Sequence, residues 1–265
     1  MRDITLGQYI NSGSVLHKLD PRLKLVLTLC FLVVLFFFQT LQAMAAVAVA
    51  VVLLYKAARI PLKLLRKNFK AIMPIVLFTS LLNMFFVDGD VLFSFWKISV
   101  TRQGVYFAVM LSLRIVLLLA GSSLLTYTTT PIELTGAIEM LLRPLGRIGF
   151  PVHELAMMMT IALRFIPTLM DETNKIMSAQ KARGANLDTG SFAERVKART
   201  PILVPLFVSA FRRADELALA MECRCYSGGN GRTRMRTLRF GKADFAAAVL
   251  FVLGCAAIIC LDRFV

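Results

Sequence analysis

The sequence predicts an all-α integral membrane protein, with about five transmembrane helices and about three amphipathic cytoplasmic helices. Two observations predict it. Of 265 residues, 57% are hydrophobic, against roughly 45–50% in ordinary soluble domains. The run from Leu25 to Tyr55 carries no charged side chain, and apolar runs of about 18 residues or more read as membrane spans. A third observation supplies the orientation. The net charge of +15 is gathered in blocks beside the apolar runs, the pattern of cytoplasmic flanks.

The expected organisation is a membrane region over 1–126, with spans at about 23–38, 42–55, 71–87 and 105–125. A cytoplasmic helical region over 127–243 follows, then a C-terminal transmembrane helix over 244–265. Arg2, Lys18, Arg22 and Lys24 precede the first pair of spans; Lys56, Arg59, Lys63, Arg66, Lys67 and Lys70 follow it. Both flanks are basic, so both are expected inside, and the pair is a hairpin turning near Gln39–Gln42. Asp88, Asp90, Lys97 and Arg102 balance in the next loop, which with Trp96 reads as external. The N-terminus is then inside and the C-terminus outside. No cleavable signal peptide is expected, because residues 1–22 are mostly polar.

The cytoplasmic region has helical periodicity. Thr130-Pro131 with Glu133 reads as a cap, a first-turn proline and a first-turn acid, and that helix should end near Leu142. A second helix is expected from Pro151 to about Arg183. Arg164, Thr168, Asp171, Lys175 and Ser178 form its polar stripe; Met158, Ala162, Phe165, Leu169 and Ile176 lie on its apolar side. A third is expected from Pro201 to about Cys225, after a polar link over Ala185–Thr200. The apolar faces are wide for free solution and suit a membrane surface or another protein, although packing among the chain's own helices is the ordinary alternative.

The chemistry is sparse. There is no glycine-rich phosphate loop ending in Lys-Ser/Thr. No acid falls within the apolar stretches at about 23–38, 42–55, 71–87, 105–125 and 245–261, and His17 and His153 have no ligand-spaced partners. Cys30, Cys255 and Cys260 read as small hydrophobes, and no metal site is expected around Cys223 and Cys225. Asp171-Glu172 reads as a solvated helix face. A membrane-embedded lipid or isoprenoid enzyme would need paired carboxylates or a histidine cluster. An autonomous secondary carrier would show inverted repeats and midplane polar groups. The charge blocks flank spans, so no nucleic-acid partner is expected.

Arg114 sits within a span, where a charge is costly; snorkelling or bonding to neighbouring carbonyls is the ordinary account. With Pro74 and Pro167 it is a candidate for a hinge or structural role. Arg183, in Ala182-Arg183-Gly184, and Arg224, in Cys223-Arg224-Cys225, stand at predicted helix ends. A basic residue with a glycine cap is ordinary for the first. It is less so for the second, which lacks the glycine. The alternative is docking, because a guanidinium offers five donors to carboxylates and carbonyls of a partner.

Leu124–Pro131, Gly149–Leu155, Leu163–Leu169, Ala179–Ala185, Pro205–Ala218 and Ala220–Glu222 resemble the transmembrane T component of energy-coupling-factor transporters, a family that includes the cobalt-transport permease subunit. The resemblance covers nearly the whole chain. It implies a non-catalytic subunit in the cell membrane of a prokaryote, part of a four-part ABC importer for vitamins or transition-metal ions. Two partner ATPases, using ATP and Mg, would each receive one arginine-tipped coupling helix. The sites would be Ala182, Arg183 and Gly184, and Cys223, Arg224 and Cys225. A membrane-embedded S component would rest on the apolar face, for which Met158, Ala162, Phe165 and Leu169 are the candidates. This chain itself would bind no cofactor. The family commonly has Ala-Arg-Gly where this chain has Cys223-Arg224-Cys225.

Overall fold

The computed structural model describes residues 9–87, 90–95, 98–185, 191–228 and 240–264. Trp96, Lys97, Asp88, Arg2 and the arginines at 232, 234, 236 and 239 lie outside them. In order, the elements are α1 (Val15–Lys18), α2 (Pro21–Val34), α3 (Leu41–Ala57), α4 (Leu62–Phe86), β1 (Val91–Phe95), β2 (Ile98–Thr101), α5 (Arg102–Thr128), α6 (Pro131–Leu142), a 3-10 segment (Arg143–Ile148), α7 (Val152–Ala182), α8 (Phe192–Glu222) and α9 (Lys242–Phe264). The fold is all-α apart from the antiparallel β1–β2 hairpin, with Phe93 opposite Val100 and Phe95 opposite Ile98. Its β-branched and aromatic residues favour strands, a local signal that the expectation of a plain external loop passed over.

The chain divides into two units, Met1–Ala137 with Thr237–Val265, and Ile138–Arg236. In the first, α3 and α5 pack together, and α2 and α9 lean on them. Ala43, Met44, Val47, Val51 and Tyr55 are buried along one face of α3, the i, i+4 spacing of a helical stripe. Tyr55 is fully buried and donates its hydroxyl to Ala120 O at 2.9 Å. Outward apolar residues such as Leu29, Leu77, Phe86 and Leu250 stay exposed, as lipid contact requires.

Among the described residues, four helical stretches are long and apolar enough to cross a membrane: Phe69–Phe86, Arg102–Thr128, Val152–Ala182 and Lys242–Arg263. Leu41–Ala57 is a shorter apolar helix. Val152–Ala182, expected in the cytoplasmic region, qualifies by length and composition as the least apolar of the four.

Arg114 resolves simply. Its Nη2 donates to Phe38 O at 2.7 Å, and its guanidinium lies 5.6 Å from the Phe36 ring. Tyr106 donates its hydroxyl to Gln39 O at 2.9 Å. Thr40 donates its backbone N–H (2.9 Å) and hydroxyl (2.5 Å) to Asp262 Oδ1. The α2–α3 turn has orphan carbonyls and amides, and these side chains satisfy them. Arg114 therefore bonds α5 to the α2–α3 turn.

α4 runs unbroken through Pro74. Against it, α5 begins at a capped N-terminus where Thr101 Oγ1 accepts from Gly104 N at 3.0 Å. A Cβ at Gly104 would lie 2.7 Å from Thr101 Oγ1 and 3.0 Å from the carbonyls of Asn83 and Met84. Backbone carbonyls cannot swing aside. Gly104→Val is therefore expected to push α4 from α5 and cost about 1–3 kcal/mol, read as a lower thermal midpoint in detergent.

Candidate functional site

The second unit holds the two arginine-tipped ends. Before it, Thr130 and Glu133 form a reciprocal cap on α6: Glu133 N donates to Thr130 Oγ1 (3.3 Å) and Thr130 N to Glu133 Oε2 (3.1 Å). At the start of α7, His153 Nδ1 lies 3.2 Å from Glu139 Oε1. α7 then runs to Ala182 without a break at Pro167, so the proline does not end the helix.

The end of α7 is built from backbone. Ala185 N donates to Gln180 O and Gly184 N to Lys181 O, each at 3.0 Å. This pair of bonds is the Schellman closure, and it needs a left-handed residue just past the helix. Gly184 supplies it at φ +87°. The turn satisfies the last carbonyls without any side chain, so the Arg183 guanidinium is not needed as a cap.

The end of α8 closes in the same way. Tyr226 N donates to Met221 O at 3.0 Å and Cys225 N to Glu222 O at 2.8 Å. Cys225 takes the left-handed position at φ +56°. Cysteine thus holds in α8 the position that glycine holds in α7, with the same closure. A non-glycine residue there carries roughly 1–2 kcal/mol of strain. Cys225→Gly is thus expected to stabilise the chain by about 1 kcal/mol, after the entropy of a freer unfolded glycine is deducted. A raised thermal midpoint checks this; a lowered one would mean that the thiol makes a contact worth more than the strain.

Ala182, Arg183, Gly184, Cys223, Arg224 and Cys225 are all exposed. Among the described residues, neither guanidinium makes a hydrogen bond or ion pair. The two sites thus share one backbone frame and present one free planar cation each.

α8 starts at Phe192, so residues 192–200, expected as part of a polar link, are helical. Pro201 and Pro205 lie inside the helix. A proline removes one ladder bond and crowds the turn before it, yet the helix spans both positions here. The acid pair also departs from expectation. Asp171 is exposed, but Glu172 Oε2 accepts from Arg213 Nη2 at 3.1 Å, and Ser209 donates its hydroxyl to Glu172 Oε1. Glu172 is thus a contact between α7 and α8, not a solvated face.

Of the apolar candidates, Met158 is 57% exposed and Ala162 is exposed, while Phe165 and Leu169 are half-buried. α8 adds Val204, Phe207, Val208 and Phe211, each 55–69% exposed. Phe207, Val208 and Phe211 stand three, four and seven residues after Val204, a helical periodicity readable from the sequence. Among the described residues, no group of three His, Cys, Asp or Glu side chains is placed to hold a metal ion.

A family model described as cobalt transport protein matches residues 12–235. The energy-coupling factor transporter transmembrane protein EcfT of Ruminiclostridium cellulolyticum is 51% identical over 244 residues, covering 92% of this chain and 91% of that protein. The protein of the same description from Clostridium kluyveri is 49% identical, covering 98% and 97%. That of Bacillus subtilis is 45% identical, covering 96% of each. Matched along nearly its whole length and carrying four helices able to cross a bilayer, the chain belongs to the cobalt transport protein family, as a multi-pass transmembrane component of the energy-coupling factor transporter type.

Proposed function

We propose that this chain is the coupling subunit of an ATP-driven importer for vitamins or transition-metal ions. It catalyses nothing itself and binds no cofactor. Two partner ATPases use ATP and Mg, and each receives one arginine-tipped end, Arg183 on α7 or Arg224 on α8. A small membrane-embedded S component captures the cargo and rests on the apolar face around Met158, Ala162, Phe165 and Leu169. The subunit sits in the plasma membrane of a prokaryote, with its N-terminus and the 127–243 region inside and its C-terminus outside. One observation carries the reading. Two helix ends share the same backbone closure, and each leaves its arginine exposed and, among the described residues, unpaired. Such a pair suits two like receptors that offer carboxylates or carbonyls.

The test is purification of the tagged chain from its native membrane in detergent, followed by uptake in reconstituted vesicles. A nucleotide-hydrolysing pair and a small membrane protein should co-elute, and uptake should stop without the hydrolysing pair. Uptake that persists without it would make the chain an autonomous carrier and overturn the proposal.

A further inference from the structure

We propose that the C-terminal halves of α7 and α8 are a charge-reversed pair, related by a local two-fold through the Glu172–Arg213 contact, and that this contact sets the spacing of the two docking ends. The part of this inference that concerns coupling rests on the function proposed above. A shift of 41 residues carries the closure at Gln180–Ala185 onto that at Met221–Tyr226, Arg183 onto Arg224, and left-handed Gly184 onto left-handed Cys225. The same shift carries Glu172 onto Arg213, and these two side chains are bonded to each other at 3.1 Å.

That coincidence has a physical meaning. In a two-fold pairing, a residue on the axis meets its own equivalent. Two identical charged residues would repel there, so the pairing needs a sign reversal on the axis. The reversal is present and extends along both helices. Asp171 corresponds to Arg212, Lys175 to Glu216 and Lys181 to Glu222. Asn174 opposite Asp215 is neutral. Within this stretch the sign is kept at Arg183 and Arg224, the residues that face outward to partners. The middle of each helix therefore carries the reverse of the other's charge pattern, while the two tips are alike.

Glu172 lies 11 residues before Arg183, and Arg213 lies 11 before Arg224. At 1.5 Å per residue each tip is about 16 Å along its helix from the contact. A change of angle at the pivot is thereby converted into a change of separation at the tips. Side chains of Glu172 and Arg213 keep only 25% and 34% of their exposure, and the Ser209 hydroxyl also donates to Glu172. Glu172, Ser209 and Arg213 are positioning residues that act through Arg183 and Arg224.

The test is a charge-swap series in the full chain, with its five native cysteines replaced by serine and nitroxide labels on Lys181→Cys and Glu222→Cys. The label distance in detergent reads the pivot without partners. The parent should give one narrow distance. Glu172→Arg should broaden it or shift it by several ångströms, and Glu172→Arg/Arg213→Glu should restore it. In the reconstituted importer, carrying native Lys181 and Glu222 and no labels, Glu172→Arg should keep ATPase recovery, lower uptake per ATP hydrolysed on the order of tenfold, and be rescued by the swap. An unchanged distance in the single variant, or no rescue in the swap, would overturn the pivot. A distance that responds in a chain that captures no ATPase would keep the pivot and sink the proposed function instead.

Discussion

Arg183→Glu and Arg224→Glu should each weaken retention of the ATPase pair by roughly thirtyfold or more, and the double change should abolish it. Removing one member of a desolvated, hydrogen-bonded charge pair costs about 2–5 kcal/mol, and 2 kcal/mol is about thirtyfold in affinity. Glutamate adds repulsion to any carboxylate in the receptor and opposes the negative end of its own helix. The double change removes both anchors, so the avidity of a two-point attachment is lost as well. Both closures consist of backbone bonds with Gly184 and Cys225 left-handed. The helices should therefore persist in the variants, with unchanged helical content and a monodisperse elution profile. Lysine is not an adequate substitute, since it lacks the planar fork. Recovery of the ATPases by the double variant at the parent level would leave the arginines as surface residues.

Lys24→Met should lower the thermal midpoint in detergent by on the order of 10 °C. Lys24 is only 8% exposed. Its ammonium donates to His17 O and Thr128 O, both at 3.0 Å, and so ties α1 and α2 to the end of α5. Asp20, Asp244 and Glu133 act on it electrostatically. Asp20 and Asp244 are 5% and 6% exposed. Asp20 N donates to Asp244 Oδ1 at 2.8 Å, and Gly241 N to Asp244 Oδ2 at 2.7 Å, which fastens the start of α9 to the same cluster. Methionine matches the length but removes the charged donor, leaving the carbonyls of His17 and Thr128 without their partner. Removing a buried charged donor from two carbonyls costs about 3 kcal/mol. A midpoint unchanged by the substitution would show that the cluster is hydrated in solution.

The sequence alone determined what depends on neighbours within a few residues. Charge-free runs dictate apolar helices, because a backbone in lipid must satisfy its own hydrogen bonds. Thr130 and Glu133 stand three apart, so their reciprocal cap on α6 was readable in part from spacing. Gly184 announced the end of α7, because glycine adopts a left-handed backbone freely. At the end of α8 the local signal is absent. Cys225 does not favour φ +56°, and the closure there became visible only with the chain folded. The helical start at Phe192 was hidden in a similar way, because Pro201 reads as a helix start from sequence while α8 runs through it.

Tertiary structure decided everything that joins residues far apart in the chain. Lys24 reads as one more cation in a cytoplasmic flank, yet it is buried against Thr128, 104 residues away. Arg114 reads as a charge in a span that would snorkel or bond to neighbouring carbonyls, and only the fold shows that the carbonyl is that of Phe38. Glu172 reads as a solvated acid and is bonded to Arg213, 41 residues on. Periodicity and capping are short-range and leave marks in sequence. A contact made by a charged side chain across helices instead depends on which helices meet and at what height, and a single chain of letters does not carry that information locally.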